Sequence, residues 1–151
     1  MKPTTPEAAA PRLADFLCFA VYSANLTFGR AYKPILDELG LTYPQYITVV
    51  ALWEEDDQTV SRLGGKLFLE SNTLTPILKK LESMGYLTRR RDPKDERQVR
   101  VNLTEAGRRL REKGLTMNLI KQTRLPPEEF AKLQKAVSNL RDSLLEAATD
   151  Q

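Results

Sequence analysis

Apolar positions recur at helical spacing along most of the chain, and the spacing switches to strict alternation in one place only. Leu13, Phe16, Leu17, Ala20, Val21, Ala24, Phe28 and Ala31 keep the i, i+3, i+4, i+7 pattern of a helix with one buried face. Cys18, Tyr22 and Asn25 form a neighbouring stripe on it. Lys33-Pro34 then opens a second short helix that Gly40 closes. Thr42 and Gln45 have capping-box spacing, with Pro44 tolerated in the first turn, and the nearly all-apolar run from Tyr46 to Trp53 predicts a helix at the centre of the core. Glu54 to Gln58 is an acidic connector. Val60 to Leu67 is the weakest helix, because Gly64 and Gly65 each cost about 1 kcal/mol relative to alanine. Packing through Leu63, Leu67 and Phe68 must hold it, and close approach of a neighbouring helix is one reason for two such glycines.

After the turn Phe68-Leu69-Glu70, the positions Leu74, Ile77, Leu78, Leu81 and Met84 predict a short amphipathic helix. Ser71-Asn72-Thr73 can cap its start and Gly85 can end it. Its other face carries Ser71, Thr73, Thr75, Lys79 and Lys80, groups that touch phosphates and base edges, and Asn72 and Pro76 on the same helix join them as candidates. The period then becomes two. Leu87 in one run and Val99, Val101 and Leu103 in the other flank Asp92-Pro93-Lys94-Asp95-Glu96, which predicts a two-stranded hairpin with a charged tip. Arg89, Arg90, Arg91 and Lys94 make that hairpin basic. Helix, second helix and basic hairpin in this order predict a mainly α fold built on a winged helix-turn-helix that binds double-stranded DNA.

Beyond the hairpin, Thr104-Glu105-Ala106-Gly107 caps a long basic helix that fades near Arg124, and Pro126-Pro127-Glu128-Glu129 starts another. Phe130, Leu133, Val137, Leu140, Leu144 and Leu145 mark its apolar stripe. Neither terminal helix belongs to the winged module, so their apolar faces need a partner. Pairing with a second copy is the economical answer, and simple packing onto the winged module is the alternative. The expected organisation is one domain, 1–151, with dimerisation helices at about 12–41 and 105–148 around a DNA-binding region at about 42–104.

Charge sharpens this picture. Thr59 to Arg111 holds 13 Lys/Arg against 6 Asp/Glu, whereas the rest of the chain holds 10 against 14. A basic segment inside an otherwise acidic chain is the footprint of a polyanion-binding site, although an isolated Arg89-Arg90-Arg91 run would by itself be a solvated charged face. No apolar stretch reaches membrane-spanning length and the N-terminus lacks a secretory signal pattern, so a cytoplasmic protein is expected. The single cysteine excludes an internal disulfide. The absence of histidine removes the commonest general base and metal ligand, so no metal and no cofactor are expected.

The block LFLESNTLTPILKKLESMGYLTRRRDPKDERQVRVNLTEAG resembles the signature of MarR-type winged-helix repressors. LCFAVYSANLTFGRAYKPILDELGLTYPQY resembles the first helices of the organic-hydroperoxide-sensing OhrR branch, so that nearly the whole chain is covered. The resemblance implies a dimeric, mostly helical triangle, a repressor that leaves its operator when a reactive cysteine is oxidised. Residue by residue, it places the reactive cysteine on Cys18 and the tyrosines that contact it from the partner subunit on Tyr32 and Tyr43, with Tyr22 a further one nearby. It also implies that Arg97 enters the minor groove with Asp95 orienting it; without the resemblance the pair would be a surface ion pair at a turn. The family's second, resolving cysteine has no counterpart in Asn118-Leu119-Ile120-Lys121-Gln122, which removes an intersubunit disulfide from the mechanism. Asn72 and Gly64-Gly65 also depart from the residues usual at those places.

A lone cysteine on an apolar helix is ordinarily an inert core residue. Three tyrosines at the family's spacings reverse that reading, because phenolic hydroxyls can hydrogen-bond a thiolate and stabilise the nucleophile that a peroxide requires. The expected function is therefore a homodimeric repressor that senses organic hydroperoxides through Cys18, with low-molecular-weight thiols as candidate second reactants. The chain is not expected to be an enzyme: a one-cysteine peroxidase would need a basic side chain and a turnover partner that nothing here supplies. The nearer rival is a MarR-type repressor released by a small aromatic ligand, with Cys18 incidental.

Overall fold

The computed structural model describes residues 10–115 and 119–150. A single 3-10 turn, Leu13–Asp15, precedes the first helix, and the extended backbone of Phe16 separates the two. Helix α1 then runs unbroken from Leu17 to Leu39 with Pro34 inside it, so the separate second helix expected at Lys33-Pro34 does not form. Proline at this point removes only the bond to the carbonyl of Arg30. The Lys33–Asp37 ion pair at 2.8 Å and the burial of Leu36 and Leu39 hold the last turns together. Gly40, at φ +67°, closes the helix by donating to carbonyls of its last turn, a geometry that favours a residue without Cβ.

Helix α2 (Tyr43–Glu54) starts with the expected capping box: Thr42 N–H donates to Gln45 Oε1 at 3.0 Å and Gln45 N–H to Thr42 Oγ1 at 3.3 Å. It is the central helix, burying Thr48, Val49, Ala51 and Leu52. The buried Thr48 hydroxyl donates to the Pro44 carbonyl at 2.7 Å. A tight connector with Asp57 at φ +53° leads into a two-residue strand β1 (Gln58–Thr59), and Thr59 caps α3 (Val60–Leu67) by accepting from Arg62 N–H. After the turn through Phe68 comes α4 (Ser71–Ser83), then β2 (Leu87–Arg91) and β3 (Val99–Leu103), paired antiparallel with Leu87 opposite Leu103 and Arg91 opposite Val99. Strand β1 adds to the outer edge of β3, giving a three-stranded sheet in the order β1-β3-β2. The two-stranded wing is therefore rooted by a third strand too short to carry a period-two signal.

The structure differs from the local pattern of the residues at two places. Helix α4 is not capped by Ser71, Asn72 or Thr73: those residues are already its first turn, and the cap position is Glu70, whose side chain makes no capping bond. The two glycines of α3 also differ from one another. A Cβ on Gly64 would lie 2.7 Å from the Leu69 carbonyl oxygen, so the close approach is to the helix-turn-helix turn itself rather than to a neighbouring helix, whereas Gly65 faces open space.

Leu63, Leu74, Leu78 and Leu81 meet Val49, Leu52, Leu87 and Val101 in a core where each is at most 1% exposed. Helix α5 (Glu105–Leu115) is seated against it so closely that a Cβ on Gly107 would fall 2.1 Å from the Tyr86 carbonyl oxygen. Trp53 Nε1 donates to the Gly107 carbonyl at 2.9 Å. Helices α6 (Leu119–Thr123) and α7 (Pro127–Thr149) complete the described chain. The long apolar faces of α1 and α7 are not covered within one chain: Leu17, Tyr22, Leu133 and Leu144 are each more than half exposed. The face of α1 expected to be buried is thus open in the single chain.

Gly107→Ala is expected to cost more than about 3 kcal/mol or to prevent folding, and Gly64→Ala about 1–3 kcal/mol, because backbone oxygens block both added methyl groups. Gly65→Ala should instead be neutral or stabilise by up to about 1 kcal/mol through helix propensity alone. Urea unfolding midpoints check the order, and equal losses at Gly64 and Gly65 would contradict it.

Candidate nucleic-acid interface and cysteine site

The buried row Leu74, Leu78 and Leu81 on α4 turns the opposite side outward. Ser71, Asn72, Thr73, Pro76, Lys79 and Lys80 are all exposed on it. Thr75 is half-buried and its Oγ1 donates to the Ser71 carbonyl at 2.7 Å, so its hydroxyl proton is already used inside the helix. Pro76 lacks the N–H that would meet the Asn72 carbonyl, a loss of one bond in the second turn. Between α4, α3 and the wing lies a cleft of about 220 Å³ with an apolar floor of Val60, Leu78 and Val99 and a rim that includes Ser61, Ser71, Arg89 and Arg97.

The wing's cations fall into two groups. Arg89 is tied to helix α4: its N–H donates to Glu82 Oε2 at 3.0 Å and its Nη2 to Glu82 Oε1 at 3.0 Å. The guanidinium of Arg89 holds the Glu82 carboxyl below its ordinary range. Arg90 Nη2 donates to Asp57 Oδ1 at 3.1 Å, and Arg91 Nη1 to the Glu96 carbonyl at 2.8 Å. At the tip, Lys94 N–H donates to Asp92 Oδ1 and Arg97 N–H to Asp95 Oδ1 at 3.1 Å, so two aspartates shape the turn. The Arg97 side chain is 94% exposed and lies only 3.5 Å from Asp95 at its Nε. Lys79, Lys80, Lys94 and Arg97 therefore project into solvent, while Arg89 and Arg90 have structural carboxylate partners that their positions in the sequence did not reveal.

Reading the sequence missed the residues that anchor the wing. Asp92, expected at a solvated tip, is 9% exposed and binds Arg100 Nη1 at 3.1 Å. Asp56 accepts from the Leu103 N–H at 2.9 Å and from Arg108 at 3.1 Å. The same end of α2 is tied to α3 by Glu55–Arg62 at 2.8 Å and Glu54–Lys66 at 2.6 Å. Arg141 of α7 lies 4.5 Å over the ring of Phe68, which places the last helix against the turn between α3 and α4.

Cys18 is exposed in the first turn of α1, with Tyr22 one turn further on and also exposed. Tyr32 and Tyr43 meet elsewhere, with ring centroids 6.0 Å apart, and the Phe28 ring lies tilted against Tyr32 at 5.5 Å. Burial pushes the Tyr32 phenol upward, with Tyr43 and then Tyr46 adding to the shift, so it remains a protonated hydrogen-bond donor. Cys18 and Tyr32 stand 14 residues apart on one helix, about 21 Å at 1.5 Å per residue, and cannot touch within one chain. Of the segment matched to the resolving cysteine, Asn118 lies outside the described residues and Leu119 to Gln122 belong to α6. Among the described residues no cluster of Cys, Asp and Glu could hold a metal, and no helix is long and apolar enough to cross a membrane.

The family model of the transcriptional regulator SarA/Rot matches residues 30–113. The organic hydroperoxide resistance transcriptional regulator of Bacillus subtilis (strain 168) is 41% identical over 138 residues, covering 88% of this chain and 92% of its own. The HTH-type transcriptional regulator TtmR of Methylorubrum extorquens (strain PA1) is 54% identical over 97 residues, covering 64% of this chain and 50% of its own length. The solved structure of reduced AbfR bound to DNA superposes with a TM-score of 0.75 at 36% identity, covering 89% of this chain and 94% of that one.

Substituting Arg97, Lys79 or Lys80 by alanine is expected to lower the slope of log affinity against log salt by about 1 each, the signature of a lost phosphate contact. Arg62→Ala, which removes a cation paired with Glu55, should leave the slope unchanged. Titrations of duplex DNA at several salt concentrations compare them; an equal change from Arg62→Ala would overturn the division of cations.

Proposed function

The chain belongs to the MarR-type winged-helix transcription regulators, in the branch of the organic hydroperoxide resistance regulators, and from that premise we propose that it is a homodimeric repressor which releases operator DNA when Cys18 is oxidised by an organic hydroperoxide. The observation that carries this reading is the separation along α1: an exposed cysteine in its first turn, Tyr32 fourteen residues further on with Tyr43 of α2 beside it, and an exposed apolar face between them. A second copy packed antiparallel on that face would cover it and bring the partner's Tyr32 and the partner's Tyr43 to Cys18. The dimerisation helices are then α1 with α5 to α7, and the segment from Thr42 to Thr104 is the DNA-binding region. Two-fold symmetry calls for a pseudo-palindromic site, with α4 in the major groove and the wing, led by Arg97, in the flanking minor groove.

The chemistry is a two-electron transfer. The Cys18 thiolate attacks the outer peroxide oxygen, a sulfur–oxygen bond forms, the oxygen–oxygen bond breaks, and the alkoxide leaves as an alcohol after taking a proton from solvent. The cysteine is now a sulfenic acid. The chain holds one cysteine, so the next step uses an outside thiol, a backbone nitrogen or more oxidant; with an outside thiol, its sulfur bonds to Cys18 and water departs. A mixed disulfide is bulky enough to part the packed helices, whereas one added oxygen is a small change.

Cys18→Ser is expected to bind the operator as the wild type does and to lose release by cumene hydroperoxide. In the wild type, hydroperoxide alone should release DNA slowly or in part, and adding a low-molecular-weight thiol should complete release, reversibly with dithiothreitol. Gel shifts run beside intact-mass spectra decide the matter. Full release while Cys18 stays an unmodified thiol would sink the redox reading and favour release by a bound aromatic ligand.

A further inference from the structure

Two arginines face each other directly across the wing. Arg90 on β2 is paired in register with Arg100 on β3, and like charges placed opposite one another weaken a strand pair. Asp57 resolves the conflict. Its Oδ1 accepts from Arg100 Nε at 2.9 Å and from Arg90 Nη2 at 3.1 Å, and its backbone carbonyl accepts from Arg100 Nη2. Arg100 reaches in the other direction to Asp92 near the wing tip at 3.1 Å.

Asp57 does not belong to the wing. It sits in the connector between α2 and β1 at φ +53°, a left-handed conformation that few side chains adopt and that Asp and Asn tolerate best. The connector follows the helix most deeply embedded in the core, and β1 itself pairs with β3 at Thr59–Arg100. One carboxylate therefore joins the rigid body to both strands of the wing. Hydrogen bonding and charge from Arg100, with Arg90 adding to them, hold the Asp57 carboxyl below its ordinary range, so it remains an anion.

We propose that Asp57, seated between Arg90 and Arg100 at the root of the wing, sets the angle at which the wing meets DNA and is thereby a positioning residue for Arg97. The inference rests on the reading of the wing as a DNA-contacting element. Asp57 touches no nucleic acid. It neutralises two cations that would otherwise repel each other, and through Arg100 and Asp92 it fixes the strand ends that carry the tip turn. Arg90 and Arg100 are thereby assigned to the frame of the wing, and the wing's DNA contacts to Lys94 and Arg97.

Asp57→Asn keeps the shape and the left-handed backbone while removing the charge. The expected result is an operator affinity about tenfold weaker, with hydroxyl-radical protection lost at the outer minor grooves and retained in the major grooves. Binding to random-sequence DNA should be equal or stronger, because the variant has lost a negative charge. A fold-wide defect would weaken both kinds of binding together. Arg100→Lys is the second variant: it keeps the charge, and a lysine cannot span Asp57 and Asp92 as the guanidinium fork does, so the same loss of outer protection is expected. Wild-type affinity and wild-type footprints in both variants would overturn the proposal. Hydrogen exchange of β2 and β3 amides without DNA separates the two readings. Faster exchange confined to the wing in Asp57→Asn supports the anchor even if the wild type protects no minor groove, and unchanged exchange rejects the anchor whatever DNA does.

Discussion

The structure depends on one buried seam, in which Leu74, Leu78 and Leu81 of α4 pack against Leu63 of α3, Val49 and Leu52 of α2, and Leu87 and Val101 of the sheet. A helix can present only one stripe to a core, so the depth of this seam determines what α4 shows to the outside. Removing any one of these leucines would leave a cavity costing about 2–5 kcal/mol, a large part of the stability of a module this small. The same seam brings the turn after α3 against Gly64 and the start of α5 against Tyr86, so two glycines become geometric necessities.

Around the seam, charge divides into an internal and an external set. Arg62, Lys66, Arg89, Arg90, Arg100 and Arg108 each have a carboxylate within 3.1 Å. Four of the acids involved, Glu54, Glu55, Asp56 and Asp57, come from the end of α2 and its connector. The acidic connector is therefore the counter-charge of the basic module, and α2 is the element to which α3, the wing and α5 are all tied. Such exposed pairs are individually weak, and their number on one short segment is what gives them geometric effect. The cations left over, at the exposed side of α4 and the wing tip, are the ones available to a polyanion.

The terminal helices follow a different logic. Their apolar faces are long and uncovered in a single chain, and the distance along α1 keeps Cys18 away from Tyr32 and Tyr43. A second copy would remedy both, and that is why sensing and assembly are joined in the function proposed here. The contact of Arg141 with Phe68 connects the last of these helices to the turn between α3 and α4, so the two parts of the chain meet at a named point.

Much of this was legible in the residues alone, for a physical reason. Helix stripes, the Thr42–Gln45 box, the Gly40 and Gly85 stops and the alternation of β3 are relations between residues at most a few positions apart, and the backbone geometry of an isolated segment already expresses them. The order of two helices and a basic hairpin then pointed to the winged fold, and the family resemblance pointed to Cys18. What tertiary structure alone decided are relations across the chain. Asp57 finds Arg90 and Arg100 from 33 and 43 residues away, and Asp56 finds Arg108 from 52. No local period encodes such pairings, so the sequence showed which side chains were cationic and only the fold decided which stayed free. The same holds for α1, where Pro34 looked like a boundary until the burial of Leu36 and Leu39 outweighed one missing hydrogen bond. It holds also for Gly64, whose need for a bare backbone arises only once Leu69 has been folded against it.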